Sequence, residues 1–254
     1  MKKTVDKKLV FALILVIVMV AIGSFYIASF LPRIGDPNTP ANKYISAYFI
    51  EHSLEDTHAA NIVTAVLADY RGFDTLYETC VMFLSGITAL AILSTKEKTH
   101  KENVVDIIDE HNYFGGMVMD GAFRIVVPII LIYAIYVLIH GEISLGGGFQ
   151  AGALLAAAYL LDRIIPSFTS LVGHITDQFA LIIAGIGVFF YLFTGVLPMC
   201  NGGNFLEYGK LPFGAEAVAE LHTTGILMIE IGVTAAVMGV IIAILELVLE
   251  RTDI

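Results

Sequence analysis

Residues 221–249 read LHTTGILMIEIGVTAAVMGVIIAILELVL. About 20 mostly apolar residues carry a helix across roughly 30 Å of hydrocarbon, and this run exceeds that length. It also holds an acid, Glu230, eight residues past His222. At a rise of 1.5 Å per residue Glu230 lies about 12 Å along the axis from His222, well inside the hydrocarbon. A carboxylate there costs roughly 2.5 kcal/mol or more unless it is buried in a bundle, hydrated or protonated. At 100° per residue Thr223, Glu230 and Thr234 fall within about 40° of one another and form a polar stripe. On another face Gly225, Gly232 and Gly239 recur every seven residues, a seam for another helix. The stripe reads either as protonatable or cation-coordinating, or as an acid satisfied by a partner chain, and both readings stand.

Outward from this run the same character continues. Of 254 residues 57% are hydrophobic and 15% charged, and the mean hydropathy is +0.81. A soluble domain is typically about a quarter charged, so the excess apolar surface calls for lipid. Five further stretches are candidate spans: Leu9–Leu31, Thr75–Leu93, Arg124–His140, Gly147–Ile165 and Phe179–Met199. The first is too long for a signal h-region and lacks a small-x-small cleavage site. The expected fold is therefore an all-α polytopic membrane protein with about six transmembrane helices. Cationic residues set its orientation. With the N-terminus inside, Lys2, Lys3, Lys7, Lys8, Lys96, Lys98, Lys101, Arg124, Arg163 and Arg251 are cytoplasmic. Only Arg33, Lys43, Arg71 and Lys210 lie outside, and both termini are then cytoplasmic. Ala59–Ala68 is apolar but too short to cross, and is placed at the interface.

Several function classes drop out. A net charge of −10 opposes nucleic-acid binding, which needs a clustered cationic face. Cys80 and Cys200 are far apart and form no metal spacing. There is no HExxH, GxGxxG, Walker loop or GxSxG, no cofactor signature and no paired histidines for haem. No catalytic centre or metal site is expected in this chain, so whether it belongs to an enzyme depends on its neighbours.

The clearest local motif runs from His140 through Glu142, Ser144, Gly146, Gly147, Gly148, Phe149 and Gly152. Consecutive glycines allow positive φ and close backbone approach, and Gly148, Gly152 and Ala156 make a small-xxx-small face. The functional reading is a polar loop lining an ion route, with His140 and Glu142 at its mouth. The plainer reading, a tight turn plus a packing groove, is the one composition favours. In the second span Arg71 and Asp74 can pair locally, while Thr75 can cap the helix with Glu78 as a capping-box acid; Glu78 could equally serve a proton relay. Singletons carry less. His52 and His58 read as a solvated loop face, Asp162 and Arg163 as water-facing, and Phe189, Phe190, Tyr191 and Phe193 as lipid contact.

The most charged segment, residues 95–112 (TKEKTHKENVVDIIDEHN), separates two spans from four and reads as a linker. Residues 113–254 resemble the B-type subunits (MrpB) of the Mrp multisubunit cation/proton antiporters, through Arg124, His140-Gly141, Ser144, Gly146 to Gln150, and the Glu230-Ile-Gly232-Val233 segment. The resemblance departs at Leu145, where the family has proline, and at Glu142-Ile143. Residues 1–95 resemble the C-terminal module of the large A-type subunit (MrpA), through Asp69-Tyr-Arg71-Gly72-Phe73-Asp74-Thr75 and Glu78. The domains implied are a two-span MrpA-like module over 1–95, a linker over 96–112 and a four-span MrpB-like domain over 113–254. The resemblance extends to archaeal membrane-bound hydrogenase and sulfane sulfur reductase complexes, in which the first module occurs as a separate small subunit beside the B-like one; here the two are joined through the linker.

The resemblance implies an accessory subunit of a Na+/H+ exchange module in the cell membrane, within a redox-driven complex related to complex I. Its partners would be other Mrp-like membrane subunits and a peripheral redox arm, with Na+, H+ and lipid around it. Iron–sulfur clusters would lie in those partners and none in this chain. The residues this reading selects are Glu78, Glu230, Thr223, Thr234, His140 and Glu142 for the ion path. Rival readings are a structural scaffold whose glycine seams clamp neighbours, a component of a stand-alone Mrp antiporter, and an independent transporter.

Overall fold

A computed structural model of the chain describes residues 7–94, 116–164, 172–214 and 217–252. The expected linker over 96–112 and the terminal residues Lys2 and Lys3 lie outside the described residues. Eight α-helices occur there: α1 (Lys7–Ala28), α2 (Ala47–Thr57), α3 (Ile62–Thr64), α4 (Gly72–Ser94), α5 (Gly116–Ile139), α6 (Gly148–Ile164), α7 (Asp177–Val196) and α8 (Val218–Thr252). Among the described residues there is no strand. Four helices contain stretches long and apolar enough to cross a membrane: Gly72–Leu93, Gly121–Ile139, Asp177–Asn201 and Val218–Leu249. The apolar part of α1, Leu13–Ala28, is shorter, and α6 has 17 residues.

The chain divides into two compact units, Met1–Tyr48 and Phe49–Ile254. The first holds α1, apolar on every face with side chains exposed all round (Ile17, Val20 and Phe25 among them), as a helix surrounded by lipid can be. It also holds a π-helical turn, Ala41–Ser46.

In the second unit α8 is the central element, packed against α4, α5, α6 and α7. Of its apolar span 61% is buried, against 17% for α4 and for α5. Backbone contact explains the tightness. A β-carbon on Gly152 would sit 2.8 Å from the Thr234 carbonyl oxygen, and one on Gly232 would sit 2.8 Å from that of Gly187. Beside them, Ala156, Ala180, Ala184 and Ala236 are fully buried. The glycine seams are thus filled within the chain: Gly232 and Gly239 meet α7, Gly225 meets Tyr208, and Gly148 and Gly152 meet α8. The opposite stripe of α7, Phe179, Ile182, Ile186, Phe189 and Phe193, stays exposed and forms a lipid-facing band.

Three places depart from or add to the expectations. Ala59–Ala68 forms α3 and the start of a π-helical turn, Ala65–Tyr70, with Ala59, Ala65 and Ala68 buried in the main core. Its polar ends found partners in the unit, which an apolar-run reading does not register. Thr75 does not cap α4, because the helix begins three residues earlier at Gly72; its hydroxyl donates instead to the Leu67 carbonyl at 2.7 Å. Arg163, expected to face water, keeps a third of its side chain exposed but turns its guanidinium onto the buried Glu246.

Candidate functional site

α5 ends at Ile139, and the chain must reverse before α6 starts at Gly148. Each glycine of the triplet has its own reason. Gly146 lies against the Val137 carbonyl, where a β-carbon would approach to 2.7 Å. Gly147 takes φ +141°, a conformation open to glycine. Gly148 lies on the backbone of α8 at the Glu230 carbonyl. The turn therefore presses the loop onto α8 at the residue where α8 carries its acid.

Glu230 is 7% exposed. A β-carbon on Gly141 would stand 2.8 Å from its Oε2, and one on Gly147 would stand 3.0 Å from its Oε1. The carboxyl group thus occupies space left by two absent side chains. Among the described residues, Glu230 Oε2 is the one buried side-chain oxygen or nitrogen without a hydrogen-bond partner. A buried polar atom left unpaired is costly, and a carboxyl at membrane depth is costly in its own right. Gln150, at the head of α6, approaches the same glycine, with its Oε1 3.4 Å from the place of a Gly147 β-carbon. Glu142 follows Gly141 in the loop. Burial pushes the Glu142 carboxyl up from its ordinary range, because a charged group loses hydration there.

The loop is held from its other side by α3. The Asn61 backbone N–H donates to the Glu142 carbonyl at 2.9 Å. Asn61 Nδ2 donates to the Gly141 carbonyl at 2.9 Å and the Ser144 carbonyl at 2.7 Å, and Thr64 Oγ1 donates to the Gly141 carbonyl at 2.7 Å.

The remaining sequence-selected residues are placed as follows. Thr234 lies one turn from Glu230, its hydroxyl 2.8 Å from the Glu230 carbonyl and 3.2 Å from that of Gly148. Thr223 bonds the Glu220 carbonyl within its own helix and takes no part in the loop contacts. His140 folds back on α5, its Nδ1 3.2 Å from the Tyr136 carbonyl and its ring stacked on Tyr136 at 4.2 Å. Glu78 is exposed on α4 and lines a shallow groove of about 510 Å³ with Tyr77, Val81, Met82 and Phe149. Arg71 and Asp74 pair locally, the Arg71 Nε donating at 2.6 Å. Tyr191 is buried, not lipid-facing, and donates to the Gly72 carbonyl at 2.7 Å.

Two clusters escaped the sequence reading. At one end of α8, His222 Nδ1 lies 2.6 Å from Asp69 Oδ2, with the His58 ring 6.2 Å from that of His222. Toward the other end, Glu246 is 1% exposed. It accepts from Tyr159 at 2.5 Å and from Arg163 at 2.8 and 3.2 Å, with His174 at 3.8 Å. The signal was present: Glu246 is a second acid in the same apolar run, and Arg163 closes the facing span. Among the described residues no group of three or more His, Cys, Asp or Glu side chains could hold a metal ion.

Residues 118–243 match a family model described as a domain related to the MnhB subunit of Na+/H+ antiporter, and residues 12–105 match that of MbhE, the E-type subunit of MBH. An A/B-type subunit of a K(+)/H(+) antiporter from Rhizobium meliloti (strain 1021), described as probable, is 26% identical over 81% of this chain and 22% of its own length. The fold is similar to a chain of the Mrp complex from Dietzia sp. DQ12-45-1b, with TM-score 0.62 at 24% identity over 96% of this chain and 26% of that one. It is also similar to a chain of the membrane-bound sulfane sulfur reductase, an archaeal respiratory membrane complex. There the TM-score is 0.58 at 25% identity, over 92% of this chain and 97% of that one. The chain thus spans about a fifth of the length of its curated A/B-type relative.

Proposed function

We infer, for a chain that is an Mrp/MnhB-like antiporter subunit and a multi-pass protein of the cell membrane, a role as an accessory component that helps form the sodium/proton pathway of a larger exchange module. The observation that carries this is the Glu230 carboxyl, sealed beneath the glycine loop with one oxygen unpaired. An acid retained at membrane depth against its desolvation cost is a functional group by default. Glu142 and Gln150 stand beside it, and Thr234 follows one turn on. Glu78 faces outward on α4 and is assigned to a contact with a neighbouring chain along the same path, since an isolated carboxylate facing lipid is costly. Thr223 and His140, turned onto their own helices, play no direct part.

The partners are other Mrp-like membrane subunits. The domain order proposed is an MrpA-like, MbhE-type module followed by an MrpB-like domain. A redox-driven complex with its iron–sulfur clusters in a peripheral arm is the setting favoured by the likeness to the sulfane sulfur reductase chain, which the present chain covers nearly whole. Catalysis, if the complex performs it, belongs to that arm.

Glu230→Gln keeps the shape and removes the titratable charge. In inverted vesicles holding the assembled complex, sodium-dependent proton movement is expected to fall at least tenfold. Wild-type rates with normal assembly reject the role.

A scaffold role is the alternative. The seams cited for clamping neighbours are filled by the chain's own helices, which weakens that reading.

A further inference from the structure

We propose that Asn61 and Thr64 are positioning residues for the Glu230 carboxyl, so that the ion site is built from both halves of the chain. The inference rests on the reading of Glu230 as the ion-handling group.

The loop over Glu230 has two kinds of anchor. Gly146 and Gly148 lie on the backbones of α5 and α8 and fix its later part. Its earlier part, Gly141 to Ser144, is held differently: three of its carbonyls accept bonds from the α3 segment. An amide Nδ2 carries two hydrogens, and at Asn61 the shorter contacts, to Gly141 and Ser144, match that capacity. Gly141 is the residue whose α-carbon faces the Glu230 carboxyl, so a shift of a few tenths of an ångström there changes the space around both carboxyl oxygens. The α3 segment is itself braced. Thr75 holds the Leu67 carbonyl, Tyr208 holds the Ala68 carbonyl at 2.9 Å, and Asp69 meets His222 of α8. The latch is therefore stiff, and it comes from a part of the chain outside the MnhB-related residues 118–243.

Asn61 also caps α3, its Oδ1 accepting from the Val63 N–H at 3.1 Å. Asn61→Asp keeps that acceptor and the backbone bond to the Glu142 carbonyl and loses both bonds that the side chain donates to the loop, so it separates the cap from the latch. Thr64→Val removes the second donor at constant shape. Each variant is made in the whole complex, and sodium-driven proton exchange is measured in vesicles beside the amount of assembled complex. The expected result is normal assembly with the sodium concentration for half-maximal exchange raised about tenfold. In a Glu230→Asp background, where the carboxyl is already withdrawn from Gly141 by one methylene, either variant should add less than a further twofold, because groups acting through one contact are not additive.

Wild-type kinetics for Asn61→Asp, full additivity with Glu230→Asp, or loss of assembly in both variants overturns the proposal. Wild-type exchange by Glu230→Gln instead removes the reading of Glu230, and the latch with it.

Discussion

Glu230 and Glu246 stand sixteen residues apart on α8, both almost wholly buried, and they are treated in opposite ways. Glu246 has both oxygens engaged by Tyr159 and Arg163, whereas Glu230 keeps one oxygen unpaired. The first is a closed ion pair, and the second is the acid to which the proposed function assigns ion handling. Arg163→Ala would leave Glu246 buried without its cation. The loss should fall at or below the low end of the about 3–5 kcal/mol seen when a buried pair is broken, because Arg163 keeps a third of its side chain exposed. Thermal unfolding of the purified complex checks this, and Arg163→Met with Glu246→Leu should recover much of the loss. Glu142 makes a pH-dependent case. Burial raises its carboxyl, so its charged form opposes folding. That penalty is present above its folded value and relieved as pH falls through it. Glu142→Gln should therefore raise the melting midpoint slightly at neutral pH and flatten the weakly acidic limb of the stability profile. Glu230 was legible as a lone acid in an apolar run. Asn61 and Thr64 were not, since their partners are backbone carbonyls about 80 residues away.

At the level of helices, small residues decide which faces meet. α6 lies on α8 through Gly148, Gly152 and Ala156, and α7 lies on α8 where Gly187 meets Gly232. Period and spacing showed that such seams exist, but not that the partner would be another helix of the same chain, because a small-residue stripe carries no address. The same limit applied to Ala59–Ala68. Its length excluded a crossing, yet only the pairing of Asn61, Leu67 and Ala68 with distant groups shows why it is buried. Gly187→Leu would drive a side chain into the α8 backbone, where a β-carbon already falls 2.6 Å from Ala236 N. The cost should exceed the about 1–3 kcal/mol of ordinary overpacking. Little folded chain should then be recovered from membranes, as a quantitative blot would show, while Phe189→Leu on the exposed face of α7 should be recovered normally.

For the molecule as a whole, composition and apolar length were enough to establish a multi-pass helical membrane protein, because lipid leaves few other solutions. How far each half depends on the other was not legible, since that dependence lies in the hydrogen bonds between α3 and the glycine loop. Under the proposed function, the acid sealed inside the chain and the one exposed on a spanning helix belong to an ion path whose remainder lies in neighbouring chains. The direct measurement is sodium-driven proton exchange in liposomes, comparing the purified chain alone with the intact complex at equal amounts of chain. The account predicts exchange by the complex, its loss with Glu230→Gln, and none by the chain alone. Exchange by the solitary chain would contradict it.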